Sequence, residues 1–106
     1  MVELKIQEET QTLLNDPLFG EVDLDTKIRQ LLESEFLQRL SRYKRMDLRL
    51  GQKYEMGFKQ FLSDHVTQQQ NQSWEAEKDA MDWETAIGGI QTMERKLTEL
   101  RMLSNG

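Results

Sequence analysis

The sequence predicts a mainly α-helical protein. A short N-terminal β-strand, open to pairing across a dimer, precedes three to four helices that include a long central helix and an amphipathic C-terminal helix. Three observations carry this expectation. Residues 2–7, VELKIQ, alternate apolar and polar side chains. Apolar residues then recur at helical spacings from Leu24 to Tyr54, and again from Ala80 to Leu100. The single proline and a few glycines punctuate the chain between these runs.

Taken in order, Val2, Leu4 and Ile6 face one side of the expected strand, and Glu3, Lys5 and Gln7 the other. No second clear strand follows, and a lone strand leaves its edges unpaired. Pairing with the same strand of a second copy is the simplest remedy, which implies a homodimer. EETQTLLNDPLFG then reads as a short helix closing near Asn15, stopped by Pro17, with Gly20 permitting a turn. Asp23 or Asp25 is the N-cap of the next helix. Its stripe runs through Leu24, Ile28, Leu31, Leu32, Phe36, Leu40, Tyr43, Met46, Leu50 and Tyr54, with Gly51 as a point where it kinks or ends.

A break near Gly57 leads into a short helix carrying Phe58, Phe61 and Leu62. TQQQNQS, residues 67–73, is polar and glutamine-rich and reads as a linker. The expected organisation is therefore a strand and helical dimerisation region over 1–66, the linker, and an acidic helix over 74–106. Ser73 caps that helix, and Glu75 and Glu77 suit the positive end of its dipole. Ala80, Trp83, Ile87, Ile90, Met93, Leu97 and Leu100 form a coiled-coil-like seam, with Trp74 off it. Gly88-Gly89 interrupts the seam. Close packing against a neighbour explains the pair, and a hinge is the alternative.

Hydrophobic residues are 37% of the 106, and 31% are charged, so the core is thin unless surface is buried against another chain. Cysteine is absent, which excludes disulfides and thiolate metal sites and fits a cytoplasmic setting. MVELKIQEE has neither the basic start nor the apolar run of a secretory leader, and no stretch approaches a membrane span. The net charge of −5 is unevenly spread: residues 1–25 sum to −6, 26–66 to +4 and 67–106 to −3. The ends can pair with the middle within a molecule or across a dimer, or one patch can face a charged partner.

No nucleophile–base pair, phosphate loop or carboxylate dyad is visible, so enzyme activity is not expected. His65 is the single histidine and gives no zinc set. Glu75, Asp79 and Asp82 share a helix face that could meet a hard cation, but a solvated acidic face is the simpler reading. No metal or cofactor is expected. Arg42, Arg45, Arg49 and Lys53 fall near one face of the central helix, a row that could track DNA phosphates or meet the acidic last helix.

Two resemblances add to this. VELKIQEETQTLLN followed by LDTKIRQLLESEFLQRL resembles the strand–helix–helix order of ribbon-helix-helix proteins. That resemblance implies a two-copy ribbon in the major groove of DNA, with Lys5, Glu3 and Gln7 facing the groove. KYEMGFKQFL with the later WEAEKDAMDWETAI resembles small prokaryotic antitoxin-like proteins, which carry a tyrosine–glycine–methionine–serine–phenylalanine turn and an acidic, tryptophan-containing final helix. Here Glu55 stands where glycine is usual and Gly57 where serine is. This implies one half of a toxin–antitoxin module whose toxin is a small basic ribonuclease. Trp74 and Trp83 would anchor the interface. Glu75, Glu77, Asp79, Asp82 and Glu84 would complement the toxin's cationic residues. The competing reading packs the last helix on the chain's own middle, with Trp83 in that core.

Overall fold

The computed structural model describes residues 5–64, 66–69 and 73–104. His65 and residues 1–4 lie outside them. Every regular element among the described residues is helical: five α-helices and one 3-10 turn. The chain divides into two compact units, residues 1–34 and 35–106. The division falls inside a helix, whereas the sequence suggested one at the glutamine tract.

In the first unit, helix α1 spans Glu8–Leu14, with Glu8 and Glu9 in its first turn, where the helix dipole favours acids. The strand expected at 2–7 does not form at Lys5, Ile6 and Gln7, and Val2, Glu3 and Leu4 lie outside the described residues. Local bonds account for the difference: the Gln11 side-chain amide donates to the Ile6 carbonyl at 3.0 Å. The Gln11 backbone N–H donates to the Gln7 carbonyl at 3.0 Å, so this segment serves as the entry to α1. The helix ends at Asn15 as Pro17 requires. Asp16 caps the 3-10 turn Pro17–Phe19 through Leu18 N–H at 2.9 Å, and Gly20 closes it in the left-handed region, φ 73°.

Helix α2 spans Leu24–Tyr54. Asp23 is its cap, accepting Thr26 N–H at 2.9 Å, and hydrogen bonding from the Thr26 side chain, joined by that N–H, holds the carboxyl below its usual range. Asp25 instead pairs with Arg29 at 2.7 Å. Lys27 is buried, and its ammonium donates to the Asn15 amide oxygen at 3.1 Å, tying the end of α1 to the start of α2.

The second unit holds the rest of α2, then α3 (Phe58–Ser63), α4 (Val66–Gln69) and α5 (Trp74–Ser104). Its pairings run in opposite directions along the two long helices. Lys53 meets Glu75 and Asp79, Asp47 meets Trp83, Tyr43 lies against Gly89, and Lys44 reaches Glu94. The two helices are therefore antiparallel, with α3 and α4 closing one end. Leu50, Phe61, Val66 and Trp83 form the buried centre of that end, with Met46, Tyr54, Met56, Phe58, Ala80 and Ile87 packed around them. Residues 67–69, the start of the expected linker, are instead helical in α4 behind the buried Val66. Residues 70–72 lie outside the described residues.

Gly51 does not end α2. The helix passes through it and stops at Tyr54, where Met56 N–H donates to the Gly51 carbonyl at 3.2 Å. That six-residue closure is the Schellman motif, which requires a left-handed residue just past the helix. Glu55 fills the position at φ 54°, a conformation that costs a residue with a Cβ roughly 1–2 kcal/mol.

α5 also runs unbroken through Gly88-Gly89, and the two glycines differ. A Cβ on Gly88 would meet nothing, while one on Gly89 would overlap three atoms of the Tyr43 ring. Gly89 is small because α2 comes close there, which supports packing over a hinge. Gly88→Ala is expected to raise stability by about 1 kcal/mol, by removing backbone freedom from a helix interior. Gly89→Ala is expected to lower it by about 1–2 kcal/mol as Tyr43 is displaced. Equal effects in urea titrations would refute the distinction. Glu55→Gly should stabilise by about 1 kcal/mol, seen as a raised midpoint at unchanged slope.

Candidate functional site

The functional question concerns α5 and the side chains it displays. Ser73 starts it, its hydroxyl accepting Ala76 N–H at 3.1 Å. Trp74 and Trp83 are nine residues apart. At about 100° per residue that is half a turn out of phase, so the two indoles occupy opposite faces.

Trp83 is fully buried, at 0% exposure. Its ring lies 5.0 Å from Phe61, 5.4 Å from Phe58 and 6.1 Å from Tyr54, centroid to centroid. The indole N–H donates to Asp47 Oδ1 at 2.8 Å. Asp47, the one acid in the basic run of α2, is what lets a polar ring edge be buried there without cost to its hydrogen bonding.

Asp79, at 6% exposure, sits one turn before Trp83. It accepts from the Lys53 ammonium at 2.6 Å and from the Tyr54 hydroxyl at 2.7 Å. Lys53 also donates to Glu75 at 2.5 Å and lies 5.5 Å from the centroid of the Tyr54 ring. Burial pushes the Asp79 carboxyl up, but the ammonium and the hydroxyl outweigh it and hold the group below its ordinary value. Burial, joined by the bond to Asp79, pushes the Tyr54 hydroxyl up to about 12. The bonds to Asp79 and Glu75 raise the Lys53 ammonium above its usual range.

These contacts correct the set of partner-facing residues inferred from sequence. Trp83 and Asp79 are spent inside the unit: one fills the core, the other neutralises Lys53. Glu75 is exposed yet bonded to Lys53, and Asp82 pairs with Lys78 at 2.7 Å. Trp74, Glu77 and Glu84 remain open to solvent, Trp74 at 76% exposure. The structure adds Met81, at 65% exposure, which the sequence reading missed. Its position was legible: seven residues beyond Trp74, it returns to the same face. The first part of α5 thus exposes an indole and a thioether two turns apart, with two free carboxylates along one edge.

The basic row is also reduced. Lys53 is committed to Asp79 and Glu75, and Lys5 belongs to the other unit. Arg42, Arg45 and Arg49 stay exposed on α2. Arg45 donates to the Ser41 hydroxyl at 2.8 Å and Arg49 to Met46 Sδ at 3.0 Å. Arg42 edges an open cleft of about 340 Å³ against α5, with Arg39, Tyr43 and Asp82 also on its walls. Among the described residues no group of acids or histidines is placed to hold a metal ion, and no helix is long and apolar enough to cross a membrane. His65 lies outside those residues. No family model, curated protein or solved structure matches the chain.

The Asp79 network makes stability depend on pH in two windows. A carboxyl depressed on folding contributes fully above its ordinary pKa, about 4, and loses that contribution as the pH falls through the folded value. The raised Tyr54 and Lys53 act with the opposite sign: their contribution is whole below about pH 10 and fades as the pH rises past that toward 12 and beyond. Denaturation midpoints measured across pH should show a plateau between these limits. Asp79→Asn should flatten the acid side of the curve and lower the plateau. Tyr54→Phe should cost about 1 kcal/mol at neutral pH. An acid limb identical in wild type and Asp79→Asn would refute the assignment.

Proposed function

We propose that this chain is a non-catalytic, antitoxin-like binding module that neutralises a small basic toxin, a ribonuclease, by covering its cationic surface. The observation that carries this reading is the exposed face of α5. Trp74 and Met81 stand out in water with Glu77 and Glu84 along one edge, on a helix whose opposite face is fixed by Trp83. An exposed Trp beside a flexible thioether is interface chemistry, since Trp dominates hot spots and Met adapts to irregular surfaces. Free carboxylates around them favour a cationic partner and hasten encounter. Because the helix is already held in place, little ordering remains to be done on binding. Covering the toxin's surface asks no bond-making of this chain.

The DNA-reading alternative of ribbon-helix-helix type has less to stand on. Lys5, Ile6 and Gln7 form no strand, and Lys53 has left the basic row.

Co-expression with the small basic polypeptide encoded beside it should give a complex that survives purification, with its ribonuclease activity suppressed. Trp74→Ala should weaken that complex about 30-fold or more, the loss typical of a central Trp anchor. Recovery of the chain alone beside that polypeptide, or a complex indifferent to Trp74→Ala, would overturn the reading.

A further inference from the structure

The outward face of α2 is the mirror of the α5 face in charge and like it in apolar content. Leu50 points into the core with 0% exposure. Half a turn away on the helix wheel lie Leu37, Ser41, Lys44, Arg45 and Leu48. Leu48 is 62% exposed and Leu37 43%. Leu40 also lines the shallow groove along this face. Its charges are both positive: Arg45 touches only the Ser41 hydroxyl, and Lys44 reaches a carboxylate, Glu94, at no less than 3.9 Å. An exposed leucine face flanked by cations on one helix therefore belongs to the same unit as an exposed Trp–Met face on another, with Glu77 and Glu84 along one edge and the Lys78–Asp82 pair along the other.

We propose that these two faces dock on each other between copies: the Leu37–Leu48 face of α2 in one molecule seats the Trp74–Met81 face of α5 in a second. Lys44 and Arg45 then meet Glu77 and Glu84, and the leucines receive the indole and the thioether. A second copy is the occupant the charges favour. Two α2 faces brought together would oppose four cations, and two α5 faces four carboxylates, both costly arrangements. Each face lies opposite its own helix's buried anchor, Leu50 on α2 and Trp83 on α5, so the two are separate surfaces. One contact therefore leaves a free face at each end, and association is head-to-tail. A single helix-on-helix contact sits below the roughly 1,200 Å² of a standard interface, so the association is weak and rises with concentration. It shares Trp74 with the proposed toxin surface without resting on that reading, because it concerns the pure chain alone.

Sedimentation equilibrium of the pure full-length chain over a wide concentration range tests this. The weight-average mass should climb with concentration past twice the monomer, and climb less at high salt. Two charge-reversed variants, Lys44→Glu/Arg45→Glu and Glu77→Lys/Glu84→Lys, alter exposed side chains, and circular dichroism will report whether each stays helical. Each alone should remain monomeric, since its two faces carry the same sign. An equimolar mixture should associate again, since each variant's altered face matches the other's. Trp74→Ala should reduce association at least tenfold without touching any charge. A wild type that stays monomeric throughout, a mass that saturates at two copies, or a mixture that fails to associate would overturn the proposal. None of these results would bear on whether a basic partner protein is bound.

Discussion

The burial of Trp83 is the constraint on which the second unit depends. An indole removed from water withdraws about 200 Å² of surface, an upper figure on the order of 5 kcal/mol. In a chain with only 37% hydrophobic residues that is a large share of the available driving force. The ring touches residues of α2 and α3, so it fixes where both lie against α5. Its one polar atom is the condition for this. With Asp47 as acceptor the N–H is satisfied, and without it a buried donor would offset about 1–3 kcal/mol of the gain. An acid that looks misplaced in a basic run is explained by a tryptophan thirty-six residues away.

Asp79 works on the same helix by a different principle. A buried carboxylate is weak evidence of stability, because desolvation opposes the attraction of its partners. Here it accepts from both an ammonium and a hydroxyl, and no buried side-chain polar atom is left unpartnered among the described residues. Its contribution is better understood as register. Sliding α5 by one turn along α2 would bury Asp79 away from Lys53 and Tyr54 and would carry Trp83 away from Asp47. Two polar locks four residues apart thus select one alignment of two helices whose apolar seams alone would tolerate several.

Much of this fold was legible. The apolar residues from Leu24 to Tyr54 and from Ala80 to Leu100 recur at helical spacings, Ser73 reads as a cap, and Asp23 is one of two candidates for the other. The strand at 2–7 rested on six alternating residues, a signal that local bonds from Gln11 override at its described end. That α2 does not end at Gly51 was not legible, because the helix stop is set by Met56 beyond it, through a carbonyl that the sequence does not display. For the site, sequence separated Trp83 from Trp74 by the seam but could not apportion the acids. Glu75, Glu77, Asp79, Asp82 and Glu84 are alike in composition, and only the position of Lys53 and Lys78 divides the bonded from the free.

That division explains why one helix carries so many acids. A purely structural helix would need Asp79 and Glu75 to neutralise Lys53, and Asp82 to pair with its own Lys78. Glu77 and Glu84 serve neither purpose, and neither do Trp74 and Met81, which are costly residues to leave in water. The surplus lies together on the face that the core does not use. The inner face makes the helix rigid, and rigidity is what makes an exposed indole useful, since an anchor held in place loses little freedom when it is covered. Packing and recognition therefore do not compete for residues on α5. They occupy opposite sides of it, half a turn out of phase, and the first creates the conditions for the second.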